Sequence, residues 1–425
     1  MACNPCSVDL TGSPEAIGTT WGRINGPDIR AHLQQFLELA HSEHGLSEET
    51  LVQRSEPYSD MMAELAPHWL VEAHAVARAA GVDVALYGAF LAGKYRGLLF
   101  SEECTSYAAV GVASADRRPL FHKNRDNVMR PQAFYRKHTL VPGRELWPFI
   151  GTGDTSDTGV MMMVNAAGLA GSADQAGPEP RPRYRGLMNP YGLRLIAETA
   201  GNCDEAIQIV RMMNDRGLYA GGKIVTRWTF TDASGTAVTV LNAHDRVSVE
   251  RLTRVGVLWT VERPGLPELL HSRQGKLTPA DMNEASRLQG VCFESNCSCL
   301  TASIDPERPE LFTCAWAALG PANRTAYFPL YMGQEQTPVA YVDGKVYRYS
   351  LGPVTPESAA VFERETDGIR RQAEGAARGA LGAGDEASAR EHLQRPALEA
   401  LRMADQTLET AAVAAIPEAA EGAGS

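Results

Sequence analysis

The chain has 425 residues, of which 44% are hydrophobic and 21% charged, with a formal net charge of −11. That length and apolar content suffice for one large core or two, and the acidic balance, with no basic run beyond short clusters such as Arg181-Pro182-Arg183, argues against a nucleic-acid partner. Eight cysteines in so long a chain do not make a disulfide framework, and they point to a reducing compartment.

The opening Met1-Ala2-Cys3-Asn4-Pro5-Cys6 has neither the cationic start nor the long apolar stretch of a secretory signal. The most apolar segments, residues 82–91 and 158–173, fall short of the roughly 20 residues of a membrane span. The expectation is a soluble, cytoplasmic protein with no membrane partner. Cys3-x-x-Cys6 has redox or zinc-knuckle spacing but lies at a loose terminus, where an idle reading is preferred.

Residues 7–22 hold a strand-like start and a turn at Thr11-Gly12-Ser13-Pro14-Glu15 into a short helix. Pro27-Asp28 opens a helix with Ile29, Leu33, Phe36, Leu37 and Ala40 on one side. A second helical stretch covers residues 60–80, with Pro67 kinking or restarting it, and residues 84–91 give a third. From Tyr107 the period changes to two: residues 107–114 and 119–123 read as a hairpin, followed by Asn124-Arg125-Asp126-Asn127 at a strand end. Gly151-Thr152-Gly153-Asp154 lacks the lysine of a phosphate-binding loop and reads as a plain loop.

Residues 160–164 form a buried strand turning at Asn165-Ala166-Ala167-Gly168. Helices follow over 190–199 and from Asn202, where Asn202 and Glu205 make a capping box. Residues 223–242 form a hairpin around Asp232-Ala233-Ser234-Gly235, and further strands are expected over 247–252, 299–304, 311–317 and 339–349. Cys292, Cys297, Cys299 and Cys314 have no histidine nearby and read as buried thiols, so no metal site is expected. Beyond residue 362 the composition turns to Ala, Glu, Gly and Arg, giving exposed helices and a disordered tail from about residue 411. The order of helices, strands, a helix pair and more strands fits two stacked antiparallel sheets covered by helices.

Cys104 stands where the helical part ends and the strands begin, within Glu102-Glu103-Cys104-Thr105-Ser106-Tyr107. If the bond between Glu103 and Cys104 were cut, Cys104 would become the first residue of a strand, with its own α-amine as the neighbouring base. That amine, with an ordinary pKa of about 7.7–8.0, suits proton transfer at neutral pH, and Asp126 is the natural carboxylate to orient it. No Gly-x-Ser-x-Gly, His-Glu-x-x-His or nucleotide-binding fingerprint competes. Without further support a buried structural cysteine is the alternative reading.

Further support comes from an ordered set of motifs: Gly12-Ser13-Pro14-Glu15-Ala16-Ile17-Gly18, then Ala66-Pro67-His68-Trp69-Leu70-Val71-Glu72-Ala73, then Cys104-Thr105-Ser106 and Lys123-Asn124-Arg125-Asp126. Asn165-Ala166-Ala167-Gly168-Leu169, Asp204-Glu205-Ala206-Ile207 and Asp232-Ala233-Ser234-Gly235 follow in the same order. Over residues 10–330 the chain resembles the acyl-coenzyme A:6-aminopenicillanic acid acyltransferase family of cysteine N-terminal-nucleophile (Ntn) hydrolases.

The resemblance implies an α+β fold, a four-layer αββα sandwich, with residues 1–103 as an N-terminal segment, 104–362 as the catalytic core and 363–425 as a tail. It implies Cys104 as nucleophile and, through its amine, base, with Asp126 binding that amine and Lys123 standing where bile-salt-hydrolase-like relatives have an arginine. Thr105, Arg125 and Asn165, with Asp174 or Gln175, fall where the relatives line the substrate site. Two departures stand out: Glu103 replaces the usual glycine before the cysteine, and residues 259–262 (Trp-Thr-Val-Glu) replace a Thr-Asn-His segment that supplies an oxyanion donor. Asn242 is either its substitute or a surface cap.

The expected activity is hydrolysis of a small-molecule amide, or transfer of its acyl group, through a Cys104 thioester. No cofactor is implied, acyl-coenzyme A being a substrate, and the two fragments stay associated, compatibly with a homo-oligomer. The rivals are a strict hydrolase of a small N-acyl metabolite and an idle relative kept as a binding or scaffold protein.

Overall fold

The structure, a computed structural model, describes residues 7–93, 104–183, 186–253, 255–352 and 354–414, with side chains up to 406. Glu103 and the Cys3-x-x-Cys6 pair lie outside the described residues.

The chain opens with β1 (Ser7–Val8), β2 (Thr11–Gly12), α1 (Pro14–His44), α2 (Glu48–Leu65), α3 (Pro67–Ala80) and α4 (Val84–Gly93). Next come β3 (Thr105–Gly111), β4 (Leu120–Asp126), β5 (Gln132–Thr139), β6 (Phe149–Asp154), β7 (Met162–Asn165) and β8 (Leu169–Arg183). A helix pair, α5 (Asn189–Thr199) and α6 (Cys203–Asp215), leads to β9 (Gly222–Asp232), β10 (Thr236–Ala243), β11 (Arg246–Thr253) and β12 (Val255–Trp259). Then follow α7 (Leu266–Ser272), α8 (Pro279–Ala285), β13 (Asn296–Ser303), α9 (Pro309–Phe312), β14 (Cys314–Ala318), β15 (Phe328–Tyr331) and β16 (Thr337–Pro338). Short helices α10 (Val339–Val342) and α11 (Lys345–Tyr349) precede the long α12 (Pro356–Gly382) and α13 (Glu386–Ala414).

Two large sheets stack face to face. One has eight strands in the order β11-β10-β9-β8-β7-β6-β5-β2, and the other six, β12-β3-β4-β13-β14-β15. Neighbours are antiparallel except β2 with β5. Phe134, Ile150, Met162, Val164 and Ala170 of the first sheet meet Phe121, Leu300 and Ala302 of the second in one apolar cluster. The other face of the eight-stranded sheet packs its Tyr135, Phe149, Trp228, Phe230 and Val240 against α1 to α6. The six-stranded sheet is covered by α12 and α13 and, near β3 and β4, by α7 and α8. The result is a four-layer αββα sandwich. Among the described residues no single helix is long and apolar enough to cross a membrane.

The first helix differs from expectation. It runs unbroken from Pro14 through Pro27, because glycines let its backbone approach α3. A β-carbon at Gly18 would stand 2.3 Å from the Glu72 carbonyl oxygen, and one at Gly22 2.4 Å from that of Val76. Pro67 does restart a helix, at the first position of α3.

Several local readings are corrected. Gly151 to Asp154 are not a loop but part of β6, paired to β5 and β7. Residues 339–349 form α10 and α11 despite their strand-like composition. Asp343 Oδ1 accepts from the Lys345 amide at 2.8 Å and Gly344 takes a φ of 77°, so Asp-Gly starts a helical turn instead of a hairpin. The tail helices are not exposed throughout: Phe362, Ala373, Ala377, Ala389, Leu393, Ala397 and Ala400 are buried, because alanine faces let α12 and α13 sit close to each other and to β15. Residues 411–414, expected in the disordered tail, continue α13.

A charge network ties α3 to the eight-stranded sheet. Lys137 Nζ donates to Glu72 Oε1 at 2.7 Å, and Arg194 bridges Glu72 (2.5 Å) and Glu198 (2.9 Å). Trp69 Nε1 donates to Glu198 Oε2 at 2.8 Å, and His68 Nε2 lies 2.9 Å from the same oxygen. Burial alone would raise the Glu198 carboxyl, but the charge of Arg194 and the His68 and Trp69 hydrogen bonds outweigh it and bring it to about 2. A depressed carboxyl contributes stability that is complete above its ordinary value of 4.5 and is lost as pH falls toward about 2. Glu198→Gln is therefore expected to cost about 3 kcal/mol at pH 7 and to flatten the loss of stability in that acid window. Urea unfolding at pH 7 and pH 3.5 checks both, and an unchanged acid response in the variant would contradict the assignment.

Candidate active site

Strand β3 begins one residue after Cys104, which is 1% exposed. Thr105 pairs with Asn124 and Ser106 with Lys123, so the register continues with Cys104 opposite Arg125 and Asp126 one step beyond. Alternation sends Cys104, Ser106, Ala108 and Val110 to the face that meets the other sheet. Ala108 and Val110 pack there on Ala237 of β10. On β4 the same face carries Phe121, Lys123 and Arg125.

Positively charged side chains on a buried face need partners, and the opposite sheet supplies them. Lys123 Nζ lies 3.0 Å from Asp174 Oδ1 and donates to the Ala173 carbonyl, with the lysine side chain 2% and the aspartate 0% exposed. Ser106 Oγ donates to Asp174 Oδ1 at 3.0 Å and is 2.9 Å from Ser172 Oγ. Arg125 donates to Asp154 Oδ1 at 2.8 Å and Gln132 Oε1 at 2.9 Å, and Gln132 in turn donates to Asp154 at 2.8 Å.

Asp126 closes β4 and is 1% exposed. It pairs with Asn296, whose Nδ2 donates to the Arg125 carbonyl at 3.0 Å. On the other edge of β3 the ladder extends past β12: the Thr260 amide donates to the Ser106 carbonyl at 2.9 Å, and Thr260 Oγ1 accepts from the Ser106 amide at 3.0 Å. Thr260 is thus committed to the backbone of the strand that follows Cys104. Arg227 of β9 donates to the Thr260 carbonyl, and Arg263 Nε donates to Thr105 Oγ1 at 3.3 Å.

The outer face of β4 is equally organised. His122 sits between Thr301 Oγ1 and Asn124 Oδ1, each 2.7 Å away, and stacks on Tyr107. Burial lowers its pKa to about 3, so the ring is neutral at physiological pH. Asn124 Nδ2 donates to the Ser286 and Val291 carbonyls at 2.9 and 3.0 Å, clamping the segment after α8 onto this strand.

Of the residues singled out from sequence, the structure gathers Cys104, Thr105, Lys123, Arg125, Asp126 and Asp174 at one end of the sandwich. Three others it does not bring there. Asn242 pairs with Thr226 on the helix-covered face of the eight-stranded sheet, where its Oδ1 accepts from Arg183 at 3.4 Å. It is buried, so it is no surface cap either. Gln175 follows Asp174 and so points to that same outer face, opposite Thr226. Asn165 locks a turn, donating to the Ala197 and Ala200 carbonyls at 3.1 and 2.6 Å and accepting from the Leu169 amide at 3.0 Å.

Ser106, Ser172, Asp154 and Arg227 were missed. The usable signal was the pair Lys123 and Arg125 on one strand face, which demands two buried carboxylates, though not which ones. Among the described residues no cluster of three His, Cys, Asp or Glu could hold a metal.

In comparisons of structure, the chain is similar to penicillin V acylase from Agrobacterium tumefaciens, with a TM-score of 0.40, 13% identity, and coverage of 54% of this chain and 86% of that one. It is similar to the Caenorhabditis elegans N-acylethanolamine-hydrolyzing acid amidase ortholog, with a TM-score of 0.35, 12% identity and coverage of 49% and 94%. A third similarity is to a single-residue variant of conjugated bile acid hydrolase from Clostridium perfringens, with a TM-score of 0.37, 9% identity and coverage of 54% and 92%. No family model and no curated protein matches the sequence.

Cys292, Cys297 and Cys299 lie beside the paired ends of β4 and β13. Burial pushes Cys297 up to about 11 and raises Cys292 and Cys299 as well, which keeps them as thiols at neutral pH. At pH 8, iodoacetamide should leave Cys297 and Cys299 of the folded protein unmodified and label both once urea unfolds it. Peptide mass mapping reads the outcome, and labelling of Cys297 in the folded chain would contradict its burial.

Proposed function

We propose that the protein is a self-processing cysteine amidohydrolase or acyltransferase of the N-terminal-nucleophile kind, acting on a small-molecule amide through a thioester on Cys104. The observation that carries this reading is the position of Cys104. It immediately precedes β3 in an αββα sandwich, and the pairing of Thr105 with Asn124 and of Ser106 with Lys123 sets it at the end of the strand pair where β4 closes with Arg125 and Asp126.

Maturation would begin with the Cys104 thiol attacking the Glu103 carbonyl carbon, giving a thioester as the peptide C–N bond breaks. Water then hydrolyses the thioester, releasing the Glu103 carboxylate and leaving Cys104 with a new α-amine. In turnover that amine takes the thiol proton as sulfur attacks the substrate carbonyl, and returns it to the departing amine. Asp126 holds the resulting ammonium, and Lys123 and Arg125 place positive charge along the inner face. A second attack, by water or by an acceptor amine, frees the acyl group. The Glu72, Lys137, Arg194 and Glu198 network supports retention of the N-terminal segment after cleavage, because it joins α3 to β5 and α5 across the cut.

The rival reading, an idle binding protein, draws on residues 259–262, where the hydroxyl of Thr260 is engaged by the Ser106 backbone. Cys104→Ala should abolish both the break after Glu103 and any thioester adduct, with a loss of amide turnover on the order of 10³-fold or more. Turnover persisting in that variant would rule Cys104 out. Glu103→Gly, which removes the bulky charged residue from the scissile position, should speed the break, as followed by denaturing gel. Added primary amines should accelerate thioester turnover if acyl transfer operates, whereas an unchanged rate favours hydrolysis.

A further inference from the structure

We infer that Asp174 and Ser106 are positioning residues for the nucleophile, acting through Lys123 and not through contact with substrate. The inference rests on Cys104 being the nucleophile.

Three observations support it. First, Asp174 has a donor set confined to this spot: Oδ1 takes Ser106 and Lys123, and Oδ2 is buried with no hydrogen-bond partner among the described residues. Both donors sit on the strand pair that presents Cys104, one directly opposite the other and two residues from it. Second, the strand pair turns apolar just beyond this row. One step further from Cys104, the inner face of β3 and β4 carries Ala108 and Phe121, both fully buried and apolar. An apolar trio would also have filled the Ser106, Lys123 and Asp174 positions without the cost of desolvating two ions, so fold stability alone does not explain the pair. Third, Lys123 is secured by the Ala173 carbonyl as well, so one residue pair of β8 fixes the ammonium from two sides.

The charged groups around the Cys104 end of β3 are Lys123 and Arg125 on the inner face of β4 and the strand-ending Asp126, Asp174 from β8, Asp154 from β6 through Arg125, Arg227 from β9, and Arg263 beyond β12. Among these, Asp174 is the carboxylate bonded to both Lys123 and the strand carrying Cys104. Its removal leaves the buried Lys123 without its counter-charge; burial then favours the neutral amine, and the strand pair loses a positive charge two residues from Cys104.

The test uses the full chain and p-nitrophenyl acetate, with nitrophenolate release giving the rate and mass mapping confirming acetylation of Cys104. Asp174→Asn should slow acetylation on the order of tenfold and move the half-maximal pH upward by about one unit. Lys123→Met should do the same, and the double variant should be no slower than either single one, since both changes remove one effect. Lys123→Arg should restore part of the rate. If Asp174→Asn lowers the melting temperature but acetylates at the wild-type rate with an unmoved pH profile, the role is structural and the inference fails.

Should Asp174→Asn not fold, Ser106→Ala decides: a slowing with the same upward pH shift supports the inference, and a wild-type profile overturns it. Failure of the underlying reading looks different, because the wild-type chain would then show no acetyl group on Cys104 at any pH.

Discussion

The structure depends on how strand β4 places two cations inside a protein. Lys123 and Arg125 alternate on one buried face, and each meets a carboxylate from the opposite sheet, Asp174 and Asp154. An uncompensated charge there would cost several kcal/mol, so the two pairs fix how the sheets sit on one another. A one-residue slip of β4 would turn both cations toward the helix-covered face, where His122 and Asn124 already have fitted partners. The interior of the sandwich is therefore divided. Its far end is an ordinary apolar core, and its near end, where Cys104 leads into β3, is a layer of paired charge.

The segment upstream of Cys104 supports this arrangement and does more than cover it. Trp21 Nε1 donates to the Thr155 carbonyl at 3.0 Å, Tyr87 donates to the Ser156 carbonyl at 3.1 Å, and Thr155 Oγ1 donates to Asp28 at 2.7 Å. Helices α1 and α4 thus hold the turn that directly follows Asp154, the partner of Arg125. Together with the Glu72 and Glu198 network, this makes the helical N-terminal part a structural component of the site, which is what a chain that cuts itself before Cys104 would require.

Much of the fold was legible because its periodicities are strong. The hairpin of β9 and β10, the capped start of α6 and the restart at Pro67 follow from local chemistry. The failures share a cause, which is that distant packing decided the outcome. Gly151 and Gly153 look like loop residues, yet β6 uses them to let Val160 and the Gly159 carbonyl approach closely. Residues 339–349 have strand composition but were set as helical turns by Asp343 and Gly344. The alanine-rich tail looked too poor to pack, although alanine is what close helix contact needs. At the site, residues near Cys104 along the strand pair were found, because register follows from the hairpin. Asn242 and Gln175 fell on the wrong face of a sheet whose neighbours a single sequence does not reveal, and Asp154 was hidden by the loop reading of β6.

The most direct test is intact mass spectrometry and N-terminal sequencing of the purified protein after prolonged incubation at neutral pH. Self-processing at Cys104 yields two fragments that co-purify under native conditions, the larger beginning Cys104-Thr105-Ser106. A single uncut chain, or a larger fragment with any other first residue, would contradict it.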